Sequence, residues 1–164
     1  MRQEQLLKNL QVPAGMVDVV LDTDAFNEID DQFAIAYLLR SEPKLRTKAI
    51  YAAPFHNANS QDPGDGMEKS YWEIRKLLSL MGESREVYRG SETFLTDEYT
   101  PVRSPAAEDL ANRAESYSPE NPLYVVAIGA ITNVASALLL NPEMKDKTVV
   151  IWLGGHAHHW NNTR

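Results

Sequence analysis

The chain contains no cysteine. That excludes a disulfide, a zinc–thiolate centre and a thiol nucleophile together, and it suits a reducing cytoplasm. No run approaches the roughly 18 apolar residues of a membrane span, so no membrane partner is expected. Behind Arg2 the N-terminal MRQEQLLKNLQVP has no long apolar core, so it does not read as a secretory signal. It reads as a short helix or arm ending at Pro13. Basic charge is scarce: 16 Lys and Arg stand against 23 Asp and Glu, a net charge of −7. A protein that grips nucleic acid by its phosphates needs the opposite balance, so no nucleic-acid partner is expected. Internal repeats and low-complexity tracts are also lacking.

What is present suits one soluble domain. A chain of 164 residues, 43% of them hydrophobic, can bury a sizeable core. Residues 17–39 (VDVVLDTDAFNEIDDQFAIAYLL) organise it. The run 17–21 is β-branched and apolar and predicts a buried strand. Asp22, Asp24, Asp30 and Asp31 follow at once, and then Phe33, Ala34, Ala36, Tyr37 and Leu38 recur at helical spacing. The acids therefore stand where a strand ends and a helix begins, which in open α/β sheets is the ligand-binding edge. Asp30 and Asp31 have a partly structural use, since acids favour a helix N-terminus. Asp22 and Asp24 have none, and alternate strand residues face the same way. A hard cation with oxygen ligands, Ca²⁺ or Mg²⁺, would neutralise the four. The plainer alternative is a solvated acidic loop with a helix cap.

Along the chain the pattern alternates. A helix over about 30–40 is stopped by Pro43, and a strand is expected over 45–53. A long polar loop over 55–66 carries His56, Asn57, Asn59 and Asp62, and loops of that length in small domains tend to be functional. An amphipathic helix is expected over 67–81, capped by Gly82, then a short strand over 86–88. Ser104-Pro105 reads as cap and first turn of a helix reaching about residue 117. A strand over 123–128, a helix opened by Thr132 or Asn133 and closed by Asn141-Pro142, and a strand over 148–153 complete the series. Apolar strands alternating with helices predict an α/β fold, a mostly parallel sheet with helices on both faces. Residues 1–15 form the arm and 16–164 the domain. Tyr71, Trp72 and Trp152 read as core, Gly154-Gly155 as a tight turn, and Glu108, Asp109 and Glu115 as a solvated helix face. No helix pattern follows the last strand, so the chain reads as the N-terminal portion of a longer protein, or as a domain completed by a partner.

The stretch DTDAFNEIDDQFAIAYLL resembles the signature of the inosine-uridine-preferring nucleoside hydrolases, an Asp-x-Asp after the first strand, an Asp-Asp pair and an apolar helix. AIYAAPFHN, VVAIGAITNVASALLLNP and VVIWLGGHAHHWNN agree with it in order. The resemblance implies a Rossmann-like α/β core, a single bound Ca²⁺ and a small-molecule nucleoside substrate. It makes Asp24 a calcium ligand and the base that activates water, and Asp31 a second ligand. It brings the backbone carbonyl of Ile128 to the metal, Asp30 to a ribose hydroxyl, and Asp22 in support. The family's Asn of the second loop falls on His56 or Asn57, and the Asn after Gly-Gly on Asn161 or, less well, Asn162. This chain departs from the pattern between the acid pairs, where Ala25-Phe26-Asn27-Glu28-Ile29 replaces a shorter Pro-Gly spacer and offers Asn27 or Glu28 to the site. The family's next sugar-binding segment, a further calcium-binding Asp and a His for the leaving base would fall after Arg164.

The chemistry implied is N-glycosidic hydrolysis of ribonucleosides with inversion, through an oxocarbenium-like sugar. His156, His158, His159, Trp160 and Phe55 are candidates to assist the leaving base, and spacing does not choose among them. Two other readings compete. One is a non-catalytic ribose- or nucleoside-binding fold. The other is a haloacid dehalogenase-type phosphatase, against which stands Phe26 where that motif wants Thr or Val. Homo-oligomerisation is left open.

Overall fold

Strands that are apolar on both faces need cover on both, and the chain supplies it. The structure is a computed structural model that describes residues 3–155 and 159. A short helix α1 (Gln3–Asn9) precedes β1 (Val17–Thr23), α2 (Ile29–Arg40), β2 (Leu45–Ala52), α3 (Pro63–Met81) and β3 (Glu86–Arg89). Then come α4 (Pro105–Arg113), β4 (Leu123–Ala127), α5 (Thr132–Leu140) and β5 (Thr148–Trp152). All five strands are parallel, in the order β3-β2-β1-β4-β5. Alternate residues divide between two cores. Val19, Leu21, Ile50 and Tyr124 pack under α2 and α3 through Ile35, Leu39, Met67 and Ile74. Val20, Tyr51, Leu123 and Val125 pack under α4 and α5 through Leu110 and Val134. The expected α/β architecture with helices on both faces is present.

The strand order places the site. From β1 the chain steps outward to β2 and β3, then returns to the other side of β1 for β4 and β5. The crevice beyond the carboxyl ends of β1 and β4 is thus the topological switch point, where ligands of such sheets bind. Pairing continues past the strand ends there: the Ile128 N–H donates to the Asp22 carbonyl at 2.9 Å and the Ala53 N–H to the Thr23 carbonyl at 2.8 Å.

Several expectations need correction. Helix α3 begins at Pro63 rather than 67, because Asp62 caps it by accepting from the Asp65 N–H at 2.8 Å. Tyr71 is buried as expected, but Trp72 is 59% exposed. Trp152 is 44% exposed, because among the described residues β5 is the edge strand and no helix covers it beyond Val149. Asp109 is no solvated acid: it accepts from the Tyr51 hydroxyl at 2.6 Å and pairs with Arg113 at 2.9 Å. The N-terminal arm is tied down, its Asn9 and Gln5 amides donating to the Pro119 carbonyl at 2.8 and 3.0 Å. Among the described residues no helix is long and apolar enough to cross a membrane.

Candidate active site at the switch point

Strand β1 runs straight into the acids. Asp22 is fully buried, and Asp24 and Asp31 are nearly so, while Asp30 is exposed on the first turn of α2. Asp31 is turned inward and accepts a short hydrogen bond from the Thr23 hydroxyl. The solvated-loop alternative does not describe Asp22, Asp24 and Asp31, which are buried, although Asp30 and Asp31 do stand in the first turn of α2 as the helix part of it expects. Asp24 lies close against the end of β4: a Cβ at Gly129 would stand 2.6 Å from its Oδ1. Only a glycine lets the two backbones approach so closely. Ile128, the proposed carbonyl ligand, is the neighbour of that glycine.

A residue that spacing presents as a helix opener proves central. Asn133 is fully buried, and α5 takes Ile131 as its N-cap without a side-chain bond. The Asn133 Nδ2 donates to Asp22 Oδ1 at 2.8 Å and to the Ala52 carbonyl at 3.2 Å. Its Oδ1 accepts from the Ser91 N–H at 2.8 Å and the Ser91 hydroxyl at 2.9 Å. One side chain thus joins β1, β2, α5 and the segment after β3. Gly90 makes room for it, since a Cβ there would meet Asn133 Nδ2 at 2.4 Å. The signal available in the sequence was an Asn one residue inside a helix start, where an unsatisfied amide has reason to turn inward.

The five-residue spacer brings Asn27 into the site. Its Nδ2 donates to Asp24 Oδ2 at 3.0 Å, and its Oδ1 accepts from the Asn57 Nδ2 at 2.5 Å. Both candidates in the β2–α3 loop, His56 and Asn57, are exposed, and Asn57 is the one joined to the acids in this way. Phe55 is buried against Gly66 and does not present its ring as a stacking surface. His159 is exposed, whereas His156, His158, Trp160, Asn161 and Asn162 lie outside the described residues.

The model of the inosine-uridine preferring nucleoside hydrolase family matches residues 19–164. The chain belongs to that family. No curated protein matches it closely enough to suggest a substrate. Membership supports nucleoside hydrolysis as the general activity, with a small-molecule nucleoside as substrate and a metal as the family's usual cofactor.

In this nucleoside hydrolase family member the electrostatics favour a cation. Burial pushes the Asp22 carboxyl up to about 7, with repulsion from Asp24 adding to it and the Asn133 bond opposing it. Burial likewise raises Asp31 to about 7, opposed by Thr23 and aided by Asp24. Asp24 is raised by burial, against its bond to Asn27. Asp22 Oδ2 is buried without a hydrogen-bond partner. An orphaned carboxylate oxygen beside other acids suits a hard divalent ion, and every donor present is oxygen. Among the described residues, however, no three acidic or imidazole side chains converge closely enough to hold an ion unaided. The donor chemistry and charge fit; closing the sphere requires backbone carbonyls, water, substrate oxygens or residues outside that set.

These shifts make metal-free stability depend on pH. A carboxyl whose folded pKa is raised holds its proton more tightly folded than unfolded. Stability therefore falls as pH rises from its unfolded value, near 4, toward the folded one, near 7. In chelator, the melting temperature is expected to fall between pH 5 and 7.5. Saturating calcium should cancel the fall. A flat or rising profile in chelator, read by scanning fluorimetry, would contradict the assigned burial of these acids.

Proposed function

We propose that the protein hydrolyses the N-glycosidic bond of ribonucleosides in a calcium-dependent reaction, with Asp24 as the base. The observation that carries this reading is the buried trio Asp22, Asp24 and Asp31 at the switch point of a chain whose family is established. Asp24 and Asp31, with the Ile128 carbonyl, would hold the ion, and Asp22 would support them from the strand. When bound, a divalent cation orients ribose hydroxyls and lowers the pKa of a water. Asp24 then takes the proton of the attacking water, a role that requires a nearby carboxylate kept from bulk solvent. Asp30, exposed on the first turn of α2, would accept from a ribose hydroxyl. His56 or Asn57 from the β2–α3 loop and Asn161 from the tail would complete the sugar contacts. Attack by water without a covalent intermediate inverts the anomeric carbon.

The phosphatase alternative asks Asp22 to be a nucleophile. A fully buried carboxylate already bonded to Asn133 is badly placed to attack a phosphorus in solvent. The non-catalytic alternative keeps the sugar contacts and loses turnover, so the experiment must read both binding and chemistry.

Thermal unfolding with calcium and magnesium tests the metal, and base release from inosine and uridine tests the reaction. At calcium one hundred times the dissociation constant, linkage adds about 2.7 kcal/mol. For a domain of this size that corresponds to a rise of roughly 5–10 °C. No shift at millimolar concentrations of either ion would defeat the cation site. A shift without base release would leave a binding protein.

A further inference from the structure

The spacer between the acid pairs is where this chain departs from its family's pattern, and it does more than bridge a gap. The Asn27 N–H donates to the Asp24 carbonyl at 2.7 Å, closing the turn just after the acid. The side chain of the same residue folds back and donates from Nδ2 to Asp24 Oδ2 at 3.0 Å. Asn27 therefore grips Asp24 by main chain and side chain together. Its remaining polar atom, Oδ1, accepts from Asn57 Nδ2 at 2.5 Å. Asn57 is itself fixed: its Oδ1 accepts from the Asn59 N–H at 2.8 Å, and its own N–H donates to the Ser60 hydroxyl at 3.2 Å. Ser60 in turn donates to the Phe55 carbonyl at 3.1 Å.

The amide orientations in this chain of bonds are forced. Asp24 is an acceptor, so Asn27 must point its nitrogen at it and its oxygen away, which leaves only a donor on Asn57 able to match. Each link polarises the next. One carboxylate oxygen of Asp24 is thereby held, and the other is directed to the Gly129 side, where β1 and β4 part.

We propose that Asn27 is a positioning residue that fixes the rotamer of Asp24 and couples it to the β2–α3 loop through Asn57, an inference that rests on the hydrolase reading above. Asn27 touches no reacting atom in this scheme; it acts through Asp24. A loop that closes on a sugar would, by the same bonds, tighten the base.

The test uses N27A, N57A, the double variant and N27D, with calcium affinity read by calorimetry and turnover measured on a ribonucleoside at saturating calcium. N27A is expected to weaken calcium about tenfold and to lower kcat tenfold or more while KM moves less than threefold. N57A is expected to weaken calcium at least threefold, and the double variant no further than N27A alone, because the second link has nothing to act on once the first is gone. N27D keeps the size and shape of Asn27 but at pH 7.5 sets a second carboxylate beside Asp24 in place of a donor, so its kcat there is expected to fall at least as far as that of N27A. A space-filling role would leave N27D near the wild-type rate, and that result overturns the inference. So does additivity of the two substitutions in calcium affinity, or N27A within twofold of wild type in both readouts, with the hydrolase reading left standing. A wild-type chain that neither binds calcium nor releases base overturns both.

Discussion

Asp24→Ala is expected to lower nucleoside turnover by about a thousandfold or more while making the metal-free protein harder to unfold. General-base assistance alone is worth typically 10²–10⁴-fold, and the same substitution removes one oxygen ligand of the proposed ion. The gain in stability follows from the charges. Asp24 raises the cost of ionising both Asp22 and Asp31, and all three sit away from water. Removing the middle charge relieves that repulsion, and at pH 7.5 in chelator the variant should melt above the wild type. Calcium, in contrast, should lose most of its stabilising effect. The opposed signs separate a functional role from damage to the fold, because a misfolded variant would lose activity and stability together. Base release from inosine and scanning fluorimetry with chelator or calcium suffice to read them. Turnover within tenfold of wild type would remove Asp24 as the base, whatever its stability.

The elements that sequence patterns exposed were those whose cause is local. Residues 17–21 had to be a strand, because a β-branched apolar run has little else to do. Ser104-Pro105 had to open a helix, and Ser104 does accept from the Ala107 N–H at 3.1 Å. Gly82 closes α3 in the left-handed conformation, at φ 67°. The same logic was available at Asp62-Pro63, yet apolar periodicity pointed to a later start. Gly64 and Gly66 dilute the pattern there, and Gly66 is required by packing, since a Cβ would meet the Phe55 carbonyl at 2.1 Å. What stayed hidden was what depends on sheet order. Trp152 and Trp72 look like core by composition and are exposed because of where β5 and the outer face of α3 lie. The acids were legible as a cluster in the sequence, while the approach of Asp24 to Gly129 follows only once β4 is known to neighbour β1. The longer spacer did offer Asn27 to the site, but its bond to Asn57 and that of Asn133 to Asp22 join distant segments, and no spacing rule encodes them.

Asn133→Ala is expected to be the most destabilising single change near the site. The amide satisfies Asp22, the Ala52 carbonyl and both donors of Ser91, all in the interior, and Ser104 adds a longer bond at 3.4 Å. Orphaning a buried polar group costs about 1–3 kcal/mol, and this change orphans several. A loss of about 3 kcal/mol or more is expected in urea unfolding, roughly 10 °C in melting temperature for a chain of this size. The isosteric Asn133→Asp is the sharper version. It keeps the acceptor for Ser91 and replaces the donor to Asp22 with a second carboxylate. Two carboxylates at hydrogen-bond distance cannot both ionise without cost, so the pair should retain one shared proton. That proton restores the missing donor, and Asn133→Asp should approach wild-type stability at pH 5 and fall well below it at pH 7.5. Asn133→Ala has no such rescue, and its deficit should persist at pH 5. If Asn133→Ala cost less than about 1 kcal/mol, water would have to be able to enter and satisfy these groups. The residue joining four segments around Asp22 would then be replaceable packing, and other contacts would have to hold those segments together.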